Sequence, residues 1–492
     1  MKLFVFLVLC SAQLLFQSAD AHTKYSNVEK VENTELVQKL EELFLTFNRE
    51  SITPSLNCVG ELKYCFLEEV ERIALDSNSA FKNNILKKVI DVHVSEKQFE
   101  QAFTTLEDID LPSYRSQALR SIAMSLAKSG DLVEAKTIVL QIERNLSGAI
   151  IEIINSTEGI DKGYAIDLLS HISSPSERSR GLLAISDLYL KSGVNEEGMA
   201  YLNESKEVAF KISSQFSRSI ALSRIAVRYA ELNEFDVAID ILIKMGGNGR
   251  YYHDVSWGSA LSKVSVLYDK AGYTEEAKKA ILEFQNRALR IRRQSDKNLA
   301  LANIAYAWAS IGLYKNAYNM LTEISKRDAR AKANALNYIA KQKVINNDME
   351  GAILAWDEAV NILYSELEKN SNDQSLRSRI ESTLRILAIN ISKSCLFDKA
   401  KQIALQMNID DYRNSTLRLI LQDIEDNTSY EKAFETAEII NDSPFWQGSV
   451  LYHIATSKAQ AGNYLEAIEV INLIEDEQRR LSAIIRLIDI AF

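Results

Sequence analysis

The sequence predicts an all-α fold, a right-handed α-solenoid of about eleven helix-turn-helix repeats. Three observations carry this expectation. First, the 492 residues hold only 17 glycines and 4 prolines, about 4% against the ~12% of ordinary domains. Sandwiches, barrels and α/β enzymes need more tight turns than that. Second, apolar residues fall at helical spacing. In residues 114–143, Leu119, Ile122, Ala123 and Leu126 form one stripe, and Ala135, Val139 and Ile142 form another after Gly130. Two short helices joined by a tight turn make an αα-hairpin. Third, the hairpin recurs along most of the chain.

From the N-terminus, Lys2 precedes an apolar run, Leu3 to Leu9, extended by Leu14 to Phe16 and followed by Ala19-Asp20-Ala21. This is the pattern of a cleavable signal peptide, residues 1–21, and it predicts a secreted or periplasmic protein. No later stretch approaches 18 apolar residues, so no membrane span is expected. Residues 22–79 carry the helical stripe Leu36, Leu40, Leu43 and Leu45 and read as a helical N-terminal cap. Removal of residues 1–21 leaves Cys58, Cys65 and Cys395, too few for a disulfide framework. Cys58 and Cys65 can pair if Gly60 breaks the chain between them. On one continuous helix they would lie about 10 Å apart, too far for a bridge. Cys395 is expected to be a buried single thiol.

The repeat array spans residues 80–475. Its turn residues are Lys97, Gly130, Gly193, Asn233, Gly272, Gly312, Asn347, Cys395, Thr428 and Gly462. The longest step, from Gly130 to Gly193, hides one degenerate unit near Gly148 to His171. A leucine stands eleven residues before every turn: Leu86, Leu119, Leu182, Leu222, Leu261, Leu301, Leu336, Leu384, Leu417 and Leu451. A small residue stands five after it: Ala102, Ala135, Gly198, Ala238, Ala277, Ala317, Ala352, Ala400, Ala433 and Ala467. Pro112, Pro175 and Pro444 each precede a repeat leucine by seven residues and mark junctions between units. Residues 476–492 restart a first helix and then stop, which reads as a C-terminal solvating helix.

This pattern resembles the tetratricopeptide repeat family, whose core positions are matched by Leu119, Ile122, Ala123, Leu126, Gly130, Ala135 and Val139. Steps near 40 residues in the middle depart from that family's period and imply longer helices there. The resemblance implies a scaffold that binds proteins or peptides on a concave face lined by the first helices. On that basis the candidate partner-binding residues are Arg120, Tyr306, Asn337, Arg385, Arg418 and Tyr452. Arg385 and Arg418 hold equivalent positions in successive units and suggest a site for an acidic segment.

The remaining chemistry is mostly exclusion. A formal charge of −10 opposes generic nucleic-acid binding. His22, His93, His171, His253 and His453 are scattered, and no metal, phosphate-loop or hydrolase motif occurs. No cofactor, metal or catalytic residue is expected. The glycine-rich stretch Gly246 to Arg250 reads as a connection between units. The basic run Arg287, Arg290, Arg292, Arg293 and Lys297 reads as a solvated helix face pairing with Glu283 and Asp296. The sequons at Asn145, Asn155, Asn203, Asn390, Asn414, Asn427 and Asn441 do not separate bacterial from eukaryotic export. The reading is therefore an exported, non-catalytic protein- or peptide-binding scaffold. Its rival, a glycan-active or other enzyme on an α-helical scaffold, requires clustered carboxylates in a deep pocket. Partner identity and oligomeric state are not legible.

Overall fold

A computed structural model of the chain describes residues 34–45, 62–156, 162–246, 255–370, 372–425 and 444–492. The expected signal peptide, Cys58, Thr428, Ala433 and the stretch Gly247 to Arg250 lie outside the described residues. Among the described residues all regular structure is α-helical, and no helix is long and apolar enough to cross a membrane. Eleven first helices are described, from Ser79–Ser95 to Pro444–Gln460, and ten are followed by a described second helix. The degenerate unit is present as Leu146–Ser156 and Lys162–Ser170.

The turns follow from backbone chemistry. All nine described turn residues have positive φ, including the non-glycines Lys97, Asn233, Asn347 and Cys395 at 60–64°. Glycine and asparagine enter this left-handed region at least cost. At Gly130 the turn N–H donates to the Ala127 carbonyl (3.1 Å), and Asp131 N–H donates to Leu126 (3.0 Å). The same pair of bonds closes the turns at Lys97, Gly193, Asn233, Gly272, Gly312, Asn347 and Gly462. This Schellman arrangement satisfies the last carbonyls of each first helix and starts the second helix at a fixed angle.

Packing uses the other two repeat positions. Every repeat leucine is buried, none more than 4% exposed. All the described small residues are buried too. At Gly198 a Cβ would stand 2.6 Å from Leu190 Cγ, so the two helices there approach too closely for a side chain. Pro112 and Pro175 occupy the first turn of their helices, and Pro444 begins its own, where a missing N–H costs nothing.

The chain divides into two compact units. The first gathers the described residues of Met1–Glu158, Cys395–Leu405 and Arg413–Phe492. In it the C-terminal helix Glu477–Ala491 packs against Leu62–Leu75 and Ser79–Ser95, and Thr34–Leu45 packs against Tyr464–Asn472. Phe66 and Phe492 meet at 5.9 Å between ring centroids, and the buried Lys63 ammonium lies 2.7 Å from Glu96 and 3.6 Å from Asp489. This corrects the expectation of a solvating last helix. Leu481, Ile484, Ile485, Leu487 and Ile488 are all at most 4% exposed. An apolar face that wide is stable only when covered.

The second unit comprises the described residues of Gly159–Ser394 and Gln406–Tyr412. Its successive first helices pack side by side: Pro175–Lys191, Gln215–Glu231, Val255–Lys270, Gln294–Ser310, Ala329–Ile345 and Gln374–Ser392. Three fully buried tryptophans anchor its core, and each indole N–H is satisfied. Trp257 donates to the Leu242 carbonyl (3.2 Å), Trp308 to Gln285 (3.1 Å) and Trp356 to Asn337 (3.0 Å).

Candidate functional site

The second unit carries an open groove of about 490 Å³ across three neighbouring first helices, Pro175–Lys191, Gln215–Glu231 and Val255–Lys270. These helices start cleanly: Pro175 opens one, and Ser214 caps the next by accepting from Ser217 N–H at 3.3 Å. Their stacking turns one face of each toward the groove. Leu183, Ile220, Val227 and Ala260 give it an apolar part, and Ser223, Ser256 and Ser259 supply hydroxyls. Asp187, Arg224, Arg228, Glu231 and Lys263 supply charge.

The charges are not balanced. Arg228 Nε lies 2.7 Å from Asp187, and its Nη1 donates to Glu231 at 2.9 Å. Both groove carboxylates are therefore engaged by one guanidinium. Burial pushes the Asp187 carboxyl above its ordinary value, and the Arg228 charge opposes this. Arg224 and Lys263 are exposed and make no ion pair among the described residues. The Ser223 hydroxyl is buried, on a residue 7% exposed, and has no hydrogen-bond partner among the described residues. Such a group is costly to leave unsatisfied unless something else bonds to it.

Farther along the same unit, Tyr306 stacks on Tyr338 at 4.6 Å between centroids. Burial lowers the Lys341 ammonium below its ordinary value, and the neighbouring charge of Lys393 adds to this. Arg385 Nε is buried without a hydrogen-bond partner among the described residues. Lys341, Lys393 and Arg385 make no ion pair among the described residues.

The six residues singled out from the sequence meet different fates. Tyr306 and Arg385 lie on first helices of the second unit, half-buried. Asn337 is 4% exposed, and its Oδ1 accepts from Trp356 and from Asn390 Nδ2 (3.2 Å). It is a core residue that satisfies a buried indole, which corrects its assignment to a binding face. Arg120 is half-exposed and paired with Glu152. Tyr452 lies beneath Lys88 at 5.9 Å and edge-on to His453 at 5.4 Å. Arg418 stands near His453, whose pKa is lowered by burial and then by that positive charge. Arg120, Arg418 and Tyr452 belong to the first unit, Arg385 to the second.

Other expectations fare as follows. Arg287 pairs with Glu283 at 2.5 Å and Arg293 with Asp296 at 3.8 Å, so the basic run is a solvated face with the partners expected. His93 is packed: it is 6% exposed, with Nδ1 3.3 Å from Gln98 Oε1 and Nε2 3.8 Å from Glu71. Cys65 is disulfide-bonded, and so is Cys395. The single buried thiol expected at Cys395 is thereby corrected: the residue is a half-buried left-handed turn, from which its side chain enters a bridge. Asn390 and Asn414 are part-buried and buried sequons, while Asn145, Asn155 and Asn203 are exposed.

The groove itself was missed, although the signal was present. The family resemblance places on the concave face the first-helix positions two before, and one, five and eight after, the repeat leucine. Applied to Leu182, Leu222 and Leu261, those positions include Leu183, Asp187, Ile220, Ser223, Val227 and Ser259, which line the groove, but also Arg180, Leu190, Ala230, Ser262, Val266 and Asp269, which do not, and they miss Arg224 and Lys263.

No protein-family model matches the chain, and no curated protein is similar to it. Among solved structures it is similar to Ton1535 from Thermococcus onnurineus NA1, at 17% identity and a TM-score of 0.23 over 74% of this chain and 97% of that one. It is similar to the tetratricopeptide-repeat domain of P58(IPK), at 14% identity and a TM-score of 0.15 over 71% and 98% of the two chains. A third is the APC/C hetero-tetramer Cut9-Hcn1, at 12% identity and a TM-score of 0.20 over 90% and 96%. Superpositions this loose carry no argument, and the fold rests on the chain's own hairpins, turns and buried repeat positions.

Proposed function

We propose that this chain is an exported, non-catalytic scaffold that holds a protein or peptide partner along the face formed by its first helices. One observation carries the reading: the groove over Pro175–Lys191, Gln215–Glu231 and Val255–Lys270 is open, mixed in polarity, and holds two cations, Arg224 and Lys263, and the buried Ser223 hydroxyl, none of which has a partner among the described residues. Repeat arrays use such surfaces for recognition. Export is supported by the apolar N-terminal run with its Ala19-Asp20-Ala21 site and by the bonded Cys65 and Cys395, since disulfides persist in oxidising compartments.

A photo-crosslinking amino acid at Ile220 should capture a partner in the native compartment. The same group at Leu354, an exposed residue on the second helix Met349–Lys369, should not. Equal capture from both positions would remove the groove from consideration. Intact-mass measurement of the captured protein should show the first 21 residues missing; a mature N-terminus at Met1 would refute export through this segment.

A further inference from the structure

We infer that the ligand of this face is an extended acidic peptide segment, its carboxylates bridging Arg224 and Lys263 at one end and Lys341 and Arg385 at the other. The inference rests on the scaffold reading above and adds the chemistry of the partner. The groove holds three cations, and its two carboxylates are both spent on Arg228. Arg224 and Lys263 project from neighbouring helices with no acidic partner among the described residues. Beside them the buried Ser223 hydroxyl has no partner among the described residues and can donate to a carboxylate or a peptide carbonyl. In a chain of formal charge −10, unpaired cations gathered on one face oppose the average. Charge-assisted bonds to carboxylates answer all of these groups at once.

The second cluster sets the length. Helices Gln215–Glu231, Val255–Lys270, Gln294–Ser310, Ala329–Ile345 and Gln374–Ser392 pack each on the next within one unit. Four helix-to-helix steps of about 8–10 Å make roughly 30–40 Å, which an extended strand at ~3.3 Å per residue spans with about 10–12 residues. Ile220 and Val227 flank Arg224 on its own helix, and the Tyr306–Tyr338 stack lies farther along the face, toward Lys341 and Arg385. These suit small apolar side chains between two acidic ends.

The test uses the full chain and fluorescein-labelled synthetic peptides of about twelve residues, read by fluorescence anisotropy. One peptide has glutamate clusters at both ends and valine and alanine between. Its counterparts replace glutamate by glutamine, lysine or phosphoserine, and a short version keeps one cluster. The glutamate peptide should bind, and more weakly as salt rises. The double variants Arg224→Ala/Lys263→Ala and Lys341→Ala/Arg385→Ala should each weaken it about tenfold or more, with circular dichroism unchanged. The short peptide should respond to only one of the two doubles. The inference is overturned if the glutamine or lysine peptide binds as tightly, if only the phosphoserine peptide binds, if neither double variant moves the affinity, or if no peptide binds. In each of those cases the scaffold reading is judged separately, by crosslinking from Ile220.

Discussion

Tyr229 keeps its ring inside the second unit, 1% exposed, and donates its hydroxyl to Asn203 Oδ1 at 2.7 Å. Burial pushes this phenol from its ordinary value of 10.0 up to about 12, with Glu207 and Glu234 adding to the effect. The neutral form is the one the fold favours. The stability it contributes is fully present below pH 10 and is lost as pH rises through about 12. Asn203 Oδ1 also accepts from Lys206, so Tyr229→Phe leaves that acceptor satisfied. Between those two pH values the wild type should lose on the order of 2 kcal/mol more stability than Tyr229→Phe. Parallel urea-denaturation profiles for the two proteins across that window would show that the phenol titrates normally. At this scale the sequence was only partly legible. Turn residues announce themselves because φ is a local property. Asn337 did not, because what decides its role is an indole 19 residues away in the next helix.

Elements were legible where short-range rules govern them. A leucine, a left-handed turn and a small residue at fixed intervals describe one hairpin, and all the contacts that enforce them lie within about forty residues. The groove was less legible because it belongs to no single hairpin: three helices line it, and the pairing of Arg228 with Asp187, which leaves Arg224 and Lys263 over, crosses between two of them. Helix Gln294–Ser310 shows how tightly that stacking is made. It is buried nearly all round, with Ala300, Leu301, Ala302, Ile304, Ala305 and Trp308 at most 2% exposed. Ala305 has no room for added carbons, so Ala305→Leu should overpack the contact and cost about 1–3 kcal/mol. The exposed Leu354→Ala should stay within about 0.5 kcal/mol of wild type. Because repeat stabilities sum locally, the loss should fall on the hairpins around Gly312 before the rest. Hydrogen exchange showing Ala305→Leu no more open there than Leu354→Ala would mean the helix is packed in a different register.

At the scale of the molecule, chain order misleads. A linear array needs a polar outer helix at each end, and the last helix was read in that role. Instead the first unit is built from both ends of the chain, with Glu477–Ala491 lying on Leu62–Leu75 and Ser79–Ser95. The warning was in the composition of that helix, whose apolar residues exceed what a solvated end requires. Ion pairs agree with the packing, since buried Lys63 faces Glu96 from its own neighbourhood and Asp489 from the C-terminus. Removing one partner of such a cluster leaves a buried charge uncompensated. Ile488, fully buried in this contact, separates the two architectures. On a solvating helix Ile488→Ala would cost under about 1 kcal/mol, as surface changes do. Within the packed first unit it should cost about 2–5 kcal/mol, the loss of a buried side chain plus the cavity it leaves. Hydrogen exchange locates the effect. Amides of Leu62–Leu75 and Ser79–Ser95 should lose protection together with those of Glu477–Ala491, while amides around Trp308 and Trp356 in the second unit keep theirs. If only the C-terminal helix opens, the ends of the chain do not support one another, and the first unit is held by its hairpins alone.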